Sequence, residues 1–574
     1  SYLLYRLNNK IIKNQLYKIP CSLLSNLYLK VQCVPFNNIP FNFSLVNHNP
    51  PIADLLDCID SSERTHELFA RLIKNNTEQR GILYTSKADI VGFKNPEELA
   101  EKYNNVLYHR HQYARIEIFK NHFYIKEYDE NVYEIIYKLK RYAESGIKNY
   151  THSVDLWMKN SGLIIDCDEK KNALRNLFKN SKVAFIYGAA GTGKSTMINY
   201  ISSLFKDKQK IFLANTNPAV ENLRRKVTAE HAEFVTITKF FSKDVSNDCD
   251  ILCLDECSTI SNRDMVRVLQ RAQCKLLVLV GDIYQIESIL FGNWFNIAYK
   301  VMPKDSVAEL TRPHRTTVQG LIEVWNKVRE ITEDRLEFIT RNGLSSTLDE
   351  SIFSRTEEDE IVLCLNYDGI YGINNINKFL QSNNVNPSIN WGVLSYKVGD
   401  PVLFNESNRF APLVYNNLKG KILQIEEEED CIYFTIEVYT VLNELDVIGF
   451  DLELKESVTD ETSVIRFKVG RGGDGNDDND NVENVVPFQV AYAISIHKAQ
   501  GLEYESVKVV ITSEIEEMVS HNIFYTAITR AKSKLKIYWS PETEKRILEN
   551  MKVQFNDKDY QLFKAKYKEA LLKS

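Results

Sequence analysis

A glycine-rich stretch has the residue types and spacing that bind phosphate groups. The segment FIYGAAGTGKST, residues 185–196, begins in an apolar run and contains the pattern G-x-x-x-x-G-K-S. Its glycines let successive backbone N–H groups point at phosphate oxygens, its lysine reaches the outer phosphates, and its serine hydroxyl can bind Mg²⁺. The predicted phosphate-binding residues are Gly188, Gly191, Gly193, Lys194, Ser195 and Thr196.

A pair of carboxylates further along the chain could complete this chemistry. The apolar run DILCL ends in Asp255-Glu256. At the edge of a sheet, Asp255 would hold Mg²⁺ through water, and Glu256 would orient and deprotonate the attacking water. With the phosphate-binding stretch, this pair predicts hydrolysis of a nucleoside triphosphate.

Three further stretches carry residues that could couple hydrolysis to a second ligand. After another apolar run, Gln285 could sense a γ-phosphate, and Phe291 and Trp294 follow it as candidate stacking surfaces for a nucleobase. The segments LTRPHR and FYTAITRAK contain Arg315 and Arg530. An arginine opposite the phosphate loop stabilises the charge that spreads over the transferred phosphoryl group.

The stretch ISIHKAQGLEYESV, residues 494–507, offers side chains for two ligands within one loop. Glu503 could face the nucleotide, whereas Ser495, His497 and Lys498 could face a phosphodiester backbone. A loop of this kind lets one domain respond to both ligands, which a motor needs and a simple kinase does not.

Apolar runs predict the elements that must position these residues. From about residue 163 to 300 they alternate with helical segments, a pattern typical of parallel strands buried on both faces. A second alternating set starts near residue 307 and resumes at 487. Between its two parts, residues 393–470 alternate with period two and predict a small antiparallel barrel. The polar run at 470–481 predicts a mobile loop.

Composition restricts the class of protein. The 574 residues are 44% hydrophobic and 26% charged, with no apolar run long enough to span a bilayer and no export leader. Ten cysteines without paired spacing favour a reducing compartment, so we expect a cytoplasmic protein without a membrane partner. The net charge of −6 predicts no global basic field, although a local basic groove would suffice for a nucleic-acid partner.

The order of the motifs resembles that of superfamily 1 helicases of the B branch, the RecD-like group. The resemblance covers about residues 163–540. The segments that match the family's motifs I, Ia, II, III, IV, V and VI are GAAGTGKST, ANTNPAVENL, LDECS, GDIYQ, LTRPHR, SIHKAQGLE and FYTAITRAK. Motif Ia is also similar to that of nonsense-decay RNA helicases.

The resemblance implies an α/β fold with two RecA-like parallel-sheet lobes, an SH3-like β-barrel insertion and a separate N-terminal α+β domain. The expected ranges are an N-terminal domain at 1–150, lobe 1A at 151–305, lobe 2A at 306–395 and 487–545, the insertion at 396–486, and a helical tail at 546–574. Residues 1–150 match nothing recognisable and are expected to dock a protein partner or handle the strand.

The resemblance also assigns roles and ligands. ATP and Mg²⁺ are the implied cofactors, and movement is implied to be 5′-to-3′ on single-stranded DNA, with RNA as the alternative track. The implied nucleotide residues are Lys194, Ser195, Asp255, Glu256, Gln285, Arg315, Glu503 and Arg530. The implied strand-facing residues are Asn215, Thr238, Phe291, Ser495, His497 and Lys498.

Lys170 departs from the family pattern. The family has a glutamine ahead of motif I that reads adenine, and the matching position in DCDEKKNAL is Lys170. An ammonium cannot both donate to and accept from the adenine edge as an amide can. Use of GTP or CTP is therefore an open alternative.

Two other readings of the sequence remain. The chain could be a regulatory NTPase switch that controls partner assembly without processive unwinding, or a subunit of a larger DNA-processing or defence complex. In the N-terminal block, LYHRHQYARIEIF (107–119) interleaves His and Arg with aromatic residues on a predicted strand. This strand is either a nucleic-acid contact or an ordinary solvated face.

Overall fold

The structure, a computed structural model, describes residues 18–21, 27–30 and 63–572, apart from gaps at 190, 243–244, 286–290, 313–315, 317, 393, 406–408, 411–412, 458, 471–483, 516–518 and 552–556. Arg315 and nearly all of the loop predicted to be mobile at 470–481 lie outside the described residues. Within the described part, no helix combines the length and apolarity needed to cross a lipid bilayer.

The N-terminal block is a mixture of helices and short antiparallel strands. Its elements are β1 (Lys18–Cys21), β2 (Leu27–Lys30), α1 (Thr65–Arg80), β3 (Thr85–Ser86), α2 (Pro96–Val106), β4 (Ile116–Phe119), β5 (His122–Ile125) and α3 (Lys126–Ala143). Strands β3, β5 and β4 form one sheet in that order. The segment predicted to be a strand over 107–119 instead has a 3₁₀ turn at His109–Ala114 before β4.

The first lobe is built on a six-stranded sheet in which every strand is parallel, in the order β11-β6-β10-β9-β7-β8. Its strands are β6 (Val183–Gly188), β7 (Lys210–Ala214), β8 (Ala232–Thr236), β9 (Asp248–Leu254), β10 (Gln273–Gly281) and β11 (Val307–Leu310). Its helices are α4 (Tyr150–Asn160), α5 (Asp168–Asn176), α6 (Lys194–Leu204), α7 (Asn217–Lys226), α8 (Ile237–Phe240), α9 (Asn262–Arg271) and α10 (Trp294–Val301).

Strand β11 corrects one predicted boundary. It pairs with β6, so the first lobe continues to Leu310 and not only to residue 305. Neighbouring residues of β6 enter different cores, Phe185 on one face of the sheet and Ile186 on the other. Burial on both faces is what the continuous apolar runs predicted.

The second lobe has a parallel sheet in the order β12-β24-β23-β13-β22. Its strands are β12 (Ser345–Ser346), β13 (Glu360–Cys364), β22 (Ala493–Ser495), β23 (Tyr504–Val510) and β24 (Ala531–Tyr538). Its helices are α11 (Gln319–Glu330), α12 (Arg335–Arg341), α13 (Ile373–Ser382), α14 (His521–Ile528) and α15 (Pro541–Asn550).

An antiparallel sheet is inserted between β13 and β22, where the barrel was predicted. Its strands are β16 (Pro401–Phe404), β17 (Lys419–Glu427), β18 (Cys431–Val438), β19 (Glu453–Lys455), β20 (Ser463–Gly470) and β21 (Phe488–Val490). A hairpin of β14 (Ser388–Trp391) and β15 (Leu394–Lys397) precedes it. The sheet order is β19-β20-β18-β17-β16-β21, and its likeness to an SH3 barrel stays a prediction.

The N-terminal block, predicted as a separate domain at 1–150, has a small core of its own that includes Phe69 and Phe123, but its last helix packs on the first lobe. Apolar residues of α3, among them Ile135 and Leu139, share one core with Phe185 of β6. The final helix, α16 (Asp557–Leu572), adds Phe563 to the same core. Two segments from opposite ends of the described chain therefore cover one face of the first-lobe sheet.

Candidate nucleotide site

The phosphate loop has the backbone geometry that its glycines predicted. It runs from the end of β6 to the start of α6, and Gly191 and Gly193 have φ angles of 78° and 84°. These angles lie in the left-handed region that glycine adopts without steric cost. Gly193 is the N-cap of α6, so the loop presents the positive end of a helix to an anion.

Lys194 holds its ammonium group at this loop. Its Nζ donates to the carbonyl oxygens of Gly188 at 2.8 Å and Ala189 at 2.9 Å. The loop's own carbonyls thus keep a cation beside the N–H groups of the helix start, within reach of a bound phosphate.

The two acidic residues follow β9, the strand between β7 and β10. The backbone N–H of Asp255 donates to the carbonyl of Leu213 at 2.8 Å, which fixes the end of the strand. Glu256 has a φ of 51°, and its N–H donates to Asp255 Oδ1 at 2.9 Å. A left-handed backbone at a non-glycine residue is costly and is typical of functional sites.

Burial changes the protonation of both acids. It raises the pKa of Asp255, and together with the nearby charge of Asp255 it raises the pKa of Glu256 to about 7. The charge of Arg530 in the second lobe opposes this rise in the pKa of Glu256. A carboxylate that titrates near neutrality is well matched to accept a proton from water.

One cleft of about 300 Å³ brings together residues from both lobes. Its second-lobe residues are Gly501, Glu503 and Arg530. Its first-lobe residues are Gly191, Gly193, Lys194, Ser195, Thr196, Asn222, Lys226, Asp255, Glu256, Gly281, Asp282 and Gln285. More than two hundred residues separate Gln285, the last of the first-lobe residues, from Gly501, the first of the second-lobe residues. The fold alone brings the two groups into one site.

Two contacts show how closely the lobes approach at the cleft. The Nζ of Lys226 lies 3.8 Å from Oε1 of Glu503. A Cβ placed on Gly501 would lie 3.8 Å from Oε1 of Glu256. The loop that contains SIHKAQGLE therefore lies directly against Glu256 of the other lobe.

Arg530 is held rigidly in the second lobe. It is buried, and its Nε donates to the carbonyl of Thr526 at 2.9 Å. Its Nη1 donates to the carbonyl of Leu502 at 3.2 Å. An anchored guanidinium needs little reorganisation before it stabilises charge on a phosphoryl group.

The cleft also contains oxygen ligands suited to Mg²⁺. The Ser195 hydroxyl and the Asp255 carboxylate both line it, and hard oxygen donors are what Mg²⁺ prefers. Among the described residues, no group of three or more His, Cys, Asp or Glu side chains could hold a metal ion alone. A site with two protein ligands fits Mg²⁺, which usually keeps several waters and binds substrate phosphates.

Comparisons with known proteins agree with the two-lobed site. A family model described as an AAA domain matches residues 167–349, and one described as a UvrD-like helicase C-terminal domain matches residues 490–538. An uncharacterised protein of Methanocaldococcus jannaschii is 24% identical over 448 residues, covering 64% of this chain but only 37% of that protein. The RecBCD enzyme subunit RecD of Buchnera aphidicola is 23% identical over 503 residues, covering 67% of this chain and 78% of RecD.

The first family model covers most of the first lobe and continues into the second, and the other model lies within the second lobe. Together, the family models and the RecD relatives support a helicase of superfamily 1B, similar to the RecD-like group. A crystal structure of Pif1 helicase from Bacteroides with ADP-AlF3 and ssDNA is also similar, at 16% identity and a TM-score of 0.42, covering 71% of this chain and 98% of that one.

Lys170 stands where the sequence resemblance predicts a glutamine that reads adenine. Lys170 is 1% exposed, and its Nζ donates to Asp166 Oδ2 at 2.5 Å. The same Nζ packs on the phosphate loop, 2.5 Å from where a Cβ on Gly193 would lie. The Lys170 side chain therefore bonds to Asp166 and packs against the phosphate loop.

The residues predicted to face a nucleic-acid strand differ in their exposure to solvent. Asn215, Thr238 and His497 are exposed, and Asn215 is steadied by donation from its Nδ2 to the carbonyl of Thr259 at 2.9 Å. Ser495 is buried, and its hydroxyl accepts from the backbone N–H of Lys498 at 3.2 Å. Ser495 therefore shapes the loop that presents His497.

Phe291 and Trp294 do not have the stacking role predicted for them. Trp294 is fully buried, and its Nε1 donates to the carbonyl of Ile260 at 2.9 Å. Phe291 is 5% exposed and packs edge-on against Tyr128 of α3, with ring centroids 5.4 Å apart. Both rings belong to the core that the N-terminal block helps to form.

Sequence reasoning missed Asn222 and Lys226, which line the cleft from α7. The only available signal was the basic end of that helix, Arg224-Arg225-Lys226, just after motif Ia. Three consecutive cations at a helix C-terminus are common because they complement the helix dipole, so the pattern alone does not indicate a ligand.

Proposed function

We propose that this helicase hydrolyses ATP to move 5′-to-3′ along single-stranded nucleic acid, with DNA as its track. The observation that carries the proposal is the shared cleft, in which phosphate-binding and acidic residues of one lobe meet Glu503 and Arg530 of the other. A site completed only when two lobes meet converts each hydrolysis event into a change in their separation.

Each residue has a role that its geometry supports. The phosphate loop and Lys194 bind the β- and γ-phosphates, and Gln285 orients the attacking water. Glu256 accepts the proton of that water, for which a pKa of about 7 is suitable. Mg²⁺, held through Ser195 and Asp255, would neutralise charge on the phosphates. Arg530 stabilises the charge that develops during transfer.

The connection to the strand runs through the second-lobe loop that holds both His497 and Gly501. His497 is exposed at one end of this loop, and Gly501 approaches Glu256 at the other. A strand that moves this loop would therefore change the geometry around the catalytic acid. The same coupling makes strand binding stimulate hydrolysis.

The deciding experiment measures ATP hydrolysis with and without single-stranded DNA and RNA of equal length. A motor shows a rise of about tenfold or more with its track, corresponding to a lowering of the activation barrier by about 1.4 kcal/mol. His497→Ala should reduce the ratio of stimulated to basal turnover, whereas Lys545→Ala, on an exposed side chain of α15, should leave that ratio unchanged. Basal hydrolysis that neither polymer changes would contradict the motor.

A nucleotide-controlled switch is the second candidate function. The similarity to RecD, which is a subunit of the RecBCD enzyme, favours a role for this chain as a subunit of a complex. A switch would hydrolyse ATP without strand stimulation and would change partner affinity with the bound nucleotide. A strand-displacement assay on a duplex with a 5′ overhang, compared with a 3′ overhang, tests both unwinding and direction. Displacement from the 5′ overhang alone is the expected result.

A further inference from the structure

A groove of about 1070 Å³ separates the outer part of the N-terminal block from the first lobe. It shares no lining residue with the nucleotide cleft. Its walls come from α1, the end of α2, the 3₁₀ turn at His109–Ala114 and the start of α3, and Asn262, Arg263 and Phe291 close it on the first-lobe side. This volume is at the upper limit of small-molecule sites, so an extended polymer segment suits it better.

Aromatic rings stand exposed on one rim of the groove. Tyr108 is 53% exposed and Tyr113 is 49% exposed, and both line the groove with His111 between them. The centroid of the His111 ring lies 5.6 Å from that of Tyr108 and 5.9 Å from that of Tyr113. Rings with one polar edge, exposed together on a surface, are suited to stacking against unpaired bases.

Two arginines lie in the same segment as these rings. Arg110 and Arg115 do not line the groove themselves, but they are exposed beside its lining residues, as is His109. The Nη1 of Arg115 donates to the neutral amide of Gln112 at 3.1 Å. No ion pair joins any of these three to an acidic residue in the described part of the chain. Cations interleaved with aromatic rings provide both the phosphate contacts and the stacking surfaces that a single strand requires.

The floor of the groove has the opposite character. Glu78 and Glu127 line it, and Glu78 accepts a hydrogen bond from the hydroxyl of Tyr128 at 2.5 Å. His66 is 7% exposed, and within the described residues its Nδ1 has no hydrogen-bond partner. Carboxylates repel phosphates but accept hydrogen bonds from base amino groups. The charge pattern thus favours phosphates on the rim and bases directed inward.

We propose that this groove is a second binding site for a single nucleic-acid strand, separate from the path across the two lobes. The proposal rests on the motor function above. The cations of Tyr108–Arg115 hold the phosphates, the rings of Tyr108 and Tyr113 stack with bases, and the polar floor contacts base edges. A site on the block that is packed against the first lobe would hold the strand just before or after it crosses the lobes.

The test measures the affinity of fluorescein-labelled oligo-dT and oligo-rU by anisotropy over a range of salt concentrations, together with hydrolysis. Arg110→Ala/Arg115→Ala should weaken binding and reduce the slope of log K against log salt by about 1.4, since each phosphate contact on a single strand contributes about 0.7. Tyr108→Ala/Tyr113→Ala should raise the Kd by about tenfold with little change in that slope. Comparing the two polymers shows whether the site prefers DNA or RNA.

Matched controls come from the second lobe. Arg341 is exposed, and Tyr367 is 49% exposed like Tyr113, so Arg341→Ala and Tyr367→Ala should leave affinity unchanged. Basal hydrolysis without polymer should be the same in all four variants, because none of these residues touches the nucleotide cleft. That readout confirms that the variants are folded.

The outcomes distinguish this proposal from the motor proposal. Wild-type affinity in both rim variants, in a chain whose hydrolysis is strand-stimulated, overturns the second site alone. A wild-type chain that binds neither polymer overturns both proposals. Photo-crosslinking of 4-thiouridine-containing RNA or 4-thiothymidine-containing DNA to peptides of the rim is the expected positive result. Loss of a protein partner without loss of strand affinity would instead show that the groove binds a peptide.

Discussion

The ammonium of Lys170 packs against Gly193 of the phosphate loop, so that a Cβ on Gly193 would lie 2.5 Å from Nζ. The lysine is almost fully buried and is neutralised by Asp166. It stands at the position where the sequence resemblance predicts a glutamine that reads adenine. Lys170 supports the phosphate loop and offers no amide to the base. We therefore expect the affinity for a nucleotide to depend on its phosphates more than on its base.

Nucleotide selectivity is the first consequence to measure. We expect the wild-type chain to hydrolyse GTP and CTP at rates within about tenfold of the rate with ATP. The reason is that Lys170 has no amide group, and a hydrogen bond from an amide to adenine would favour ATP by roughly 1–1.5 kcal/mol. Lys170→Gln should increase the preference for ATP in a competition assay. Lys171→Gln, at the exposed neighbouring position, is the control and should change nothing. A strong preference of the wild type for ATP would contradict the expectation.

The pH dependence of turnover follows from the acid in the cleft. Glu256 must be deprotonated to accept a proton, and its pKa is raised to about 7, mainly by burial. Turnover should therefore fall as the pH drops through about 7, well above the range of an ordinary glutamate. Glu256→Gln should lower turnover by about 10²–10⁴-fold at pH 8 while a labelled nucleotide still binds, and its own turnover should not show the fall near pH 7. A profile that stays flat down to pH 5 would exclude Glu256 as the base.

The same residue should cost the protein stability. A glutamate whose pKa is raised on folding binds its proton more tightly in the folded state, so stability falls as the pH rises from about 4.5 to about 7. Glu256→Gln removes this penalty. The variant should melt at a higher temperature than the wild type at pH 8, and at a similar temperature at pH 5. Equal melting temperatures at pH 8 would show that burial of this charge has no energetic cost.

The cross-lobe pair of Lys226 and Glu503 should affect chemistry more than stability. Its atoms are 3.8 Å apart and partly exposed, so the pair contributes less than about 1 kcal/mol to folding. The charge of Lys226 nevertheless lowers the pKa of Glu256 against the larger effect of burial. Lys226→Ala should move the acidic limb of the pH profile to higher pH without lowering the melting temperature. Lys545→Ala, far from the cleft, should move neither.

Docking of α16 should depend on one carboxylate. Asp559 is buried and accepts from the backbone N–H groups of Leu83 at 2.7 Å and Tyr84 at 3.0 Å. Asp559→Ala leaves both donors without that acceptor, so it should cost about 2–3 kcal/mol. Hydrogen exchange of residues around 83–84 should accelerate accordingly. Lys558→Ala, at an exposed position next to Asp559, should leave exchange unchanged.

The nucleotide site was predictable because its signals are local. A glycine loop between strand and helix and an Asp-Glu pair after a strand determine their own geometry, and residues of both line one cleft. Their roles in hydrolysis stay predictions. The burial of Phe291 and Trp294 could not be predicted from neighbouring residues. Their burial depends on α3, more than a hundred positions earlier in the chain, and no pattern around 291–294 indicates that partner. The sequence boundary at 305 placed β11 in the wrong lobe for the same reason. Its pairing with β6, a distant strand in the sequence, is what assigns it to the first lobe.

The position of α16 also has a consequence for how this protein is made. The helix is separated from the first-lobe sheet by the whole second lobe in sequence, yet Phe563 completes the core around Phe185. During synthesis, the first lobe leaves the ribosome with that face covered by α3 but not yet by α16, and contacts of such large sequence separation form slowly. The newly made chain should therefore need a chaperone until α16 emerges, and products truncated before residue 557 should aggregate.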